Sequence, residues 1–567
     1  MSTSYAQPKA EKPSSGDGYQ LPTYPFVVPP ELSGGNESIG GTQQTYPVVI
    51  VGGGLTGLTA ACDLLQRGIK VVLLDEDNTI GVRGASSRGI CYAQKSLEVF
   101  KRLGIYHRIK AKGVEWSVGK TLAGDDEIYA FDFATQASHN ASSQPAFINI
   151  QQFYIEWYLV DRINELDPGA IRWQNRVVGV QADDERVTLQ VETPAGSYAL
   201  AAQWAFDCTG LHSPIRESLG IKTDRGLGVD RWCISDVRFK DKKPIERWTW
   251  VEAPFNDNRA VWQHLMADDV WRLDYQMAPD SNPEYVSSKE VVADRLRRHL
   301  GEDVEFEMIW VGPYGYRSHL METMRHGRVL FAGDAAHVMS PFGARGGNSG
   351  IQDADNFGWK LALVLSGRAA PDLMNSYHEE RHEGAQVNVQ ITNRTARFLS
   401  PRSAAEWMIR NAVITLAKQY PFARNLVNTG RLSSASTYTR SSINVGEWGG
   451  ISIQNVALPK HDDLVGVMTQ AQGNLLVIAP DSSTAASLEA KRIVNEYPVR
   501  FALIGGAPGG WIGIDDSGGK LAAQLRIAPG KLAIIRPDLY CAGVISANQL
   551  EAALRKMNFA RTRRHAN

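Results

Sequence analysis

Four apolar residues in a row, Val48 to Val51, stop at Gly52-Gly53-Gly54-Leu55-Thr56-Gly57, and the pattern then changes period. Leu58, Ala61, Leu64 and Leu65 recur at helical spacing until Gly68. A second apolar run from Lys70 to Leu74 ends at Asp75. Strand, glycine turn, helix, strand and acid are predicted, with the acid ~20 residues beyond the turn, as a dinucleotide-binding βαβ unit requires. A related pattern returns late in the chain. Val329, Leu330, Phe331 and Ala332 run into Gly333-Asp334; Pro341 and a glycine-rich loop follow, and Ile351, Ala354, Leu361 and Leu365 then mark one helical face. A helix start made of small residues presents free backbone N–H groups and a positive dipole end to an anionic or electron-rich ligand.

The pattern between and around these segments divides the chain. Residues 1–45 are rich in Pro, Ser, Gly and Gln and read as an extended arm draped over the body or over a neighbouring subunit. Strands and helices alternate over 46–230. Over 231–320 the texture turns to β, with Cys233–Phe239, Arg247–Glu252, Ala260–Met266 and Trp271–Met277 rich in aromatic and branched residues. This predicts a sheet inserted between the two glycine motifs, where a substrate pocket belongs. Residues 321–430 hold the second motif and further helices, 431–454 form a Ser/Thr/Gly-rich linker, and 455–567 form a last strand-and-helix unit.

Composition narrows the partners. The 567-residue chain exceeds one ordinary domain, and a net charge of −1 gives no bulk attraction to nucleic acid or an anionic membrane. A small molecule is the expected ligand. Five cysteines, Cys62, Cys91, Cys208, Cys233 and Cys541, form no CxxC pair, which fits a reducing, cytoplasmic setting. No secretory leader, no membrane span, no metal-ligand spacing and no nucleophile elbow is apparent. The chemistry is therefore expected to come from a cofactor.

The two glycine motifs and the helix ending Trp359-Lys360-Leu361 resemble those of the single-component FAD-dependent aromatic hydroxylases, most of all the phenol and 3-(3-hydroxyphenyl)propionate hydroxylase branch. The likeness runs from about Tyr46 to Ser400, and more loosely to the C-terminus. It implies an α/β fold: a Rossmann-like FAD-binding domain, an inserted β-rich substrate domain and a C-terminal thioredoxin-like domain. It also implies a homodimer and a reaction in which NADPH or NADH reduces FAD, dioxygen adds at flavin C4a, and the hydroperoxide hydroxylates an aromatic, phenolic substrate. By the same resemblance Gly52, Gly54 and Gly57 admit the pyrophosphate, Asp75 binds ribose, Arg88 lies near the phosphates and Gln152 near the ribityl chain. Asp334 meets the ribityl hydroxyls, Pro341 flanks the flavin ring, and Gly346, Gly347 and Asn348 face its pyrimidine edge. A surface ion pair for Arg88 and a helix-capping role for Gln152 remain open.

Two positions depart from the family. Where it has an acid, this chain has Thr209 in Thr209-Gly210-Leu211-His212-Ser213, with Arg216 kept; Asp207, on the same strand face, could compensate. The stretch Gly89-Ile90-Cys91-Tyr92 lacks the acid that deprotonates phenols in that branch. Candidate catalytic residues are therefore His264, Tyr275 and Tyr316, with Arg259, Tyr314, Arg317 and His319 as further pocket candidates. Trp248-Thr249-Trp250 superficially suggests a flavin-dependent halogenase, and Thr209 leaves a non-catalytic flavin-binding protein as the other alternative.

Overall fold

The computed structural model describes residues 19–33, 44–81, 89–136, 141–222, 226–278, 280–427, 432–488, 490–506 and 509–559. The predicted βαβ unit is present. Strand Thr45–Val51 leads through the glycine turn into helix Leu55–Gln66 and then strand Val71–Leu74, which lies parallel to the first. On the other side of Thr45–Val51, the long strand Gly196–Asp207 and then Val329–Phe331 continue the parallel array. Val48, Val49, Ile50, Leu73, Phe206 and Leu330 are completely buried, as strands covered on both faces must be. Both glycine motifs therefore follow the C-terminal ends of parallel strands of one sheet, with only Gly196–Asp207 between them, at the end where ligands of such folds bind.

The second sheet has eight strands. Its centre is the antiparallel set Phe306–Leu320, Gly226–Phe239, Trp271–Gln276, Arg259–Leu265 and Arg247–Ala253. Sequence patterning confined this sheet to 231–320, but it extends further. The hairpin Val118–Ala123/Asp126–Asp132 adds to it through a parallel pairing with Arg247–Ala253, and His337–Val338 pairs with its other edge. Short polar strands such as these carry little periodicity, so only the tertiary pairing reveals them. One face packs Cys233, Val261, Leu273 and Tyr275 against helix Lys289–Leu300. The other face packs Trp232, Val251, Ala260 and Trp262 against Phe342 and against the helical residues Leu399, Ile414 and Ala417.

The C-terminal unit has a five-stranded sheet ordered Ile512–Ile514, Val499–Ile504, Leu475–Ala479, Lys531–Ile535 and Cys541–Ser546, the first three parallel and the last two antiparallel. It docks on helix Arg345–Leu365, where Trp359 Nε1 donates to Asp538 Oδ2 at 3.0 Å. Within residues 19–33 of the arm, Tyr24 stacks on Trp173 at 4.5 Å, and Tyr19 donates to Asp236 at 3.1 Å.

Candidate active site

Each glycine of the first motif has a different physical job. Gly52 has φ +104°, and a Cβ there would lie 2.5 Å from the Cys208 carbonyl oxygen. A Cβ on Gly57 would fall 1.9 Å from the Gly52 oxygen, so this glycine allows helix and strand to meet. At Gly54 a Cβ would meet nothing within 4 Å. That open space at the N-terminus of helix Leu55–Gln66 is a cradle suited to a pyrophosphate. Beside it the Asp75 carboxylate accepts from Gly53 N–H and, at 2.8 Å, from Asp77 N–H. Burial pushes Asp75 up to about 6.

The second motif is bolted to the first by small residues. Gly333, with φ +54°, and Gly350 both lie against Thr56, where a Cβ would come within 2.8 and 2.2 Å of its hydroxyl. Gly358 meets Asp63 in the same way one turn pair further along, so the two helices cross in close contact. Asp334 is half-buried at the strand end. Helix Arg345–Leu365 starts after Ala344, which has φ 56° and gives no side-chain cap, so its first N–H groups remain available to a ligand. Pro341 and Gly347 are exposed beside them, with Gly346 half-buried.

Several of the expected site residues have side-chain partners within the protein. The Asn348 side chain accepts from Ala93 N and Ser96 Oγ and donates to Cys91 O and Ala344 O, at 2.6–2.9 Å. It clamps the helix start to strand Cys91–Ala93, leaving its backbone rather than its amide for a ligand. Gln152 opens helix Gln152–Leu166; it accepts from Gly89 N at 2.9 Å and donates to Glu156 at 2.7 Å. Arg88 lies outside the described residues. The buried carboxylate of Asp207 accepts from Thr209 N and Oγ1, at 2.9 and 2.6 Å, and from Ser213 Oγ, and so anchors the loop. Arg216 ties the same loop to Ala335 O and Leu211 O.

The inner face of the second sheet meets this second motif directly. Phe342, in the loop, packs on Trp262 at 5.2 Å and on Trp232 at 6.0 Å, and the two tryptophans lie 4.3 Å apart. Side chains alternate along a strand, so residues paired across strands share a face. Ile234, Asp274 and Trp262 form one row, and Asp236, Arg272 and His264 the next, with Arg247 extending toward strand Val118–Ala123.

Alternation also corrects one candidate. Tyr275 faces the opposite way, fully buried among Cys233, Val261 and Leu296 and near Arg295, and burial pushes its phenol well up. It is a core residue. His264 does face inward, but burial and the neighbouring Arg247 and Arg272 hold its imidazole well below the usual range, so it is neutral. Tyr316 and Arg317 lie in strand Phe306–Leu320 with side chains outside the described residues. Tyr314 is exposed, Arg259 pairs loosely with Asp257 at 3.4 Å, and His319 sits opposite Val338.

Asp274 and Arg247 were not among the candidates. Their signal was in the text: Trp271-Arg-Leu-Asp-Tyr-Gln276 alternates perfectly, but a polar alternate normally faces water. Here that face is covered. Burial pushes the Asp274 carboxyl up to about 7, reinforced by Asp236 and opposed by Arg272 and Arg247.

The family described as FAD binding domain matches residues 45–392, which is more than half of the chain. The chain belongs to this family. Along 70% of its length it is 26% identical to a 3-(3-hydroxy-phenyl)propionate/3-hydroxycinnamic acid hydroxylase of Mycolicibacterium smegmatis, covering 69% of that protein. A hydroxylase of the same name from Klebsiella pneumoniae is 23% identical over 90% of this chain and 94% of its own. Among solved structures, the flavin-dependent monooxygenase PieE in complex with FAD and substrate superposes with a TM-score of 0.77 at 20% identity, over 91% of this chain and 99% of PieE. The protein is an FAD-dependent monooxygenase. Its open Gly54 cradle, the Asp75 carboxylate and the uncapped helix start at Arg345 suit the phosphates, ribose and electron-rich ring of FAD in turn. No helix among the described residues is long and apolar enough to cross a membrane.

Proposed function

We propose that the protein hydroxylates a phenolic ring held between the loop Pro341–Ala344 and the Trp232/Trp262 face of the second sheet, with NADPH or NADH as reductant and dioxygen as co-substrate. The observation that carries this reading is the contact of Phe342 with both tryptophans, which sets an aromatic wall against the second flavin motif. FAD supplies the reduction and oxygen-activation chemistry there. In this reading Gly52, Gly54 and Gly57 hold the pyrophosphate and Asp75 the ribose. Asp334, Pro341 and the N–H groups of Gly346, Gly347 and Asn348 hold the ribityl chain and ring edge. The sheet contributes a dry, rigid floor that orients the substrate ring and excludes water.

The parallel and antiparallel strand order of the C-terminal unit supports a thioredoxin-like module used for packing. Cys541 is buried, and its thiol is pushed up to about 12, so it is not a redox centre. A homodimer and a reducing, cytoplasmic setting complete the proposal; the five unpaired cysteines support the latter.

Stopped-flow reduction of the FAD-loaded protein by each nicotinamide, with and without phenols and aromatic acids, tests the reading. A phenol that accelerates reduction and leaves as a hydroxylated product is the expected result. Chloride-dependent halogenation, or flavin reduction indifferent to every aromatic compound, would refute it.

A further inference from the structure

The polar side chains on the inner face of strand Trp271–Gln276 have very different partners. Arg272 donates two hydrogen bonds to Asp236, at 2.8 and 2.9 Å, and Gln276 accepts from Ala260 N and donates to Ser400 Oγ. Asp274, between them, has no hydrogen bond or ion pair among the described residues, and it alone on this strand is only part-buried. Across the same face Arg247 is 8% exposed, its Nε has no partner, and it too makes no ion pair among the described residues. A guanidinium does not shed its proton, so a buried one without a counter-anion is strongly unfavourable unless a ligand completes it. Asp274 is near enough for each charge to influence the other, yet the two do not pair.

We propose that Asp274 is the general base that takes the proton from the substrate's phenolic hydroxyl, and that Arg247 binds the phenolate oxygen so formed. The proposal rests on the phenol hydroxylation reading above. The phenol O–H bond breaks, the proton passes to a carboxylate oxygen of Asp274, and the electron pair remains on oxygen, where it raises electron density at the ortho and para ring carbons. Net charge is conserved. With Asp274 ionised, Asp236, Asp274, Arg247 and Arg272 sum to zero, and moving the proton from phenol to Asp274 keeps the sum at zero while placing the new anion beside Arg247. The other groups facing the cluster remain neutral: His264 through burial between two arginines, the Cys91 thiol, pushed up to about 12, and the Tyr19 phenol of the arm. An acid half-ionised near neutral pH is matched to this task, which His264 is not. The base sits on the sheet, in place of the acid absent from Gly89-Ile90-Cys91-Tyr92.

The test is single-turnover hydroxylation by the FAD-loaded enzyme with ring-substituted phenols spanning a range of acidities. Asp274→Asn is expected to slow weakly acidic phenols by roughly 10²-fold or more. The loss should shrink toward nothing for phenols already ionised at the assay pH. Wild-type kcat/KM should rise with pH through a group near the value that burial gives Asp274, and that limb should vanish in Asp274→Asn and return in Asp274→Glu. Arg247→Met should weaken phenol binding and raise the pKa of the bound phenol, read from its ultraviolet absorbance. An equal loss across all phenols with the pH limb intact would overturn the assignment and leave Asp274 a structural acid. If no phenol stimulates nicotinamide oxidation by the wild-type enzyme, the phenolic reading itself fails, and the base assignment falls with it.

Discussion

Two buried charge clusters in this protein look alike in composition and differ in completeness. Where the C-terminal unit docks, Glu380 accepts from Lys360 at 2.8 Å and from both terminal nitrogens of Arg536 at 2.6 and 2.8 Å, while Arg536 also reaches Asp538. Every charge there is paired. On the inner face of the second sheet, Asp236 and Arg272 pair but Asp274 and Arg247 do not. The closed cluster holds two units together. The open one has unspent charge facing the aromatic wall, and such charge is retained in a fold when a ligand completes it.

The largest expected effect comes from breaking the closed cluster. Glu380→Gln leaves Lys360 buried with neutral partners and Arg536 with Asp538 alone, and chemical denaturation should show a loss of ~3–5 kcal/mol. In the wild-type, the two cations override burial and hold the Glu380 carboxyl well below the usual range. Its stabilisation is therefore complete above the ordinary glutamate range and lost as pH falls toward the depressed value. Charge-neutral changes at the first glycine turn come next. Gly57→Ala forces a methyl onto the Gly52 carbonyl and should cost about 1–3 kcal/mol. Gly54→Ala meets open space, so the apoprotein should keep its stability while FAD affinity, measured by fluorescence titration, falls roughly tenfold or more.

The smallest effect has the opposite sign. Asp274 has a folded pKa of about 7, above its unfolded value, so the stability it contributes is present in acid and lost as pH rises through about 7. Asp274→Asn removes that loss. Thermal unfolding of the apoprotein above neutrality should show this variant more stable by about 1 kcal/mol, with the gap closing on acidification. A variant less stable than wild-type at alkaline pH would show that the open cluster is structural like the closed one.

Most of the cofactor framework was legible in the sequence, because glycine spacing, strand ends and helix starts are local. The turn at Gly52–Gly57, the acid Asp75 and the Gly333-Asp334 segment stand where their spacing placed them. The position of Asn348 was legible, but its side-chain role was not, since the partners Ala93 and Ser96 lie more than two hundred residues away. The substrate face was hardest to read. In Trp271–Gln276 the sequence shows which residues alternate, but it does not show that both faces are covered. Tyr275 is a candidate by its chemistry alone, while its parity puts it in the core and puts Asp274 on the opposite, inner face. The spacing of Asp207 from Thr209 showed a shared strand face, but not the hydrogen bonds by which Asp207 holds the Thr209–Ser213 loop.

This face, together with bound FAD, is proposed to insert oxygen into a phenol. The most direct measurement is a reaction of the FAD-loaded protein with NADPH or NADH and a phenol under isotopically labelled dioxygen, with the product analysed by mass spectrometry. The expected result is a hydroxylated product carrying one labelled oxygen atom, formed only when the phenol is present. Nicotinamide oxidation that ignores every phenol, with no label entering any aromatic product, would contradict it.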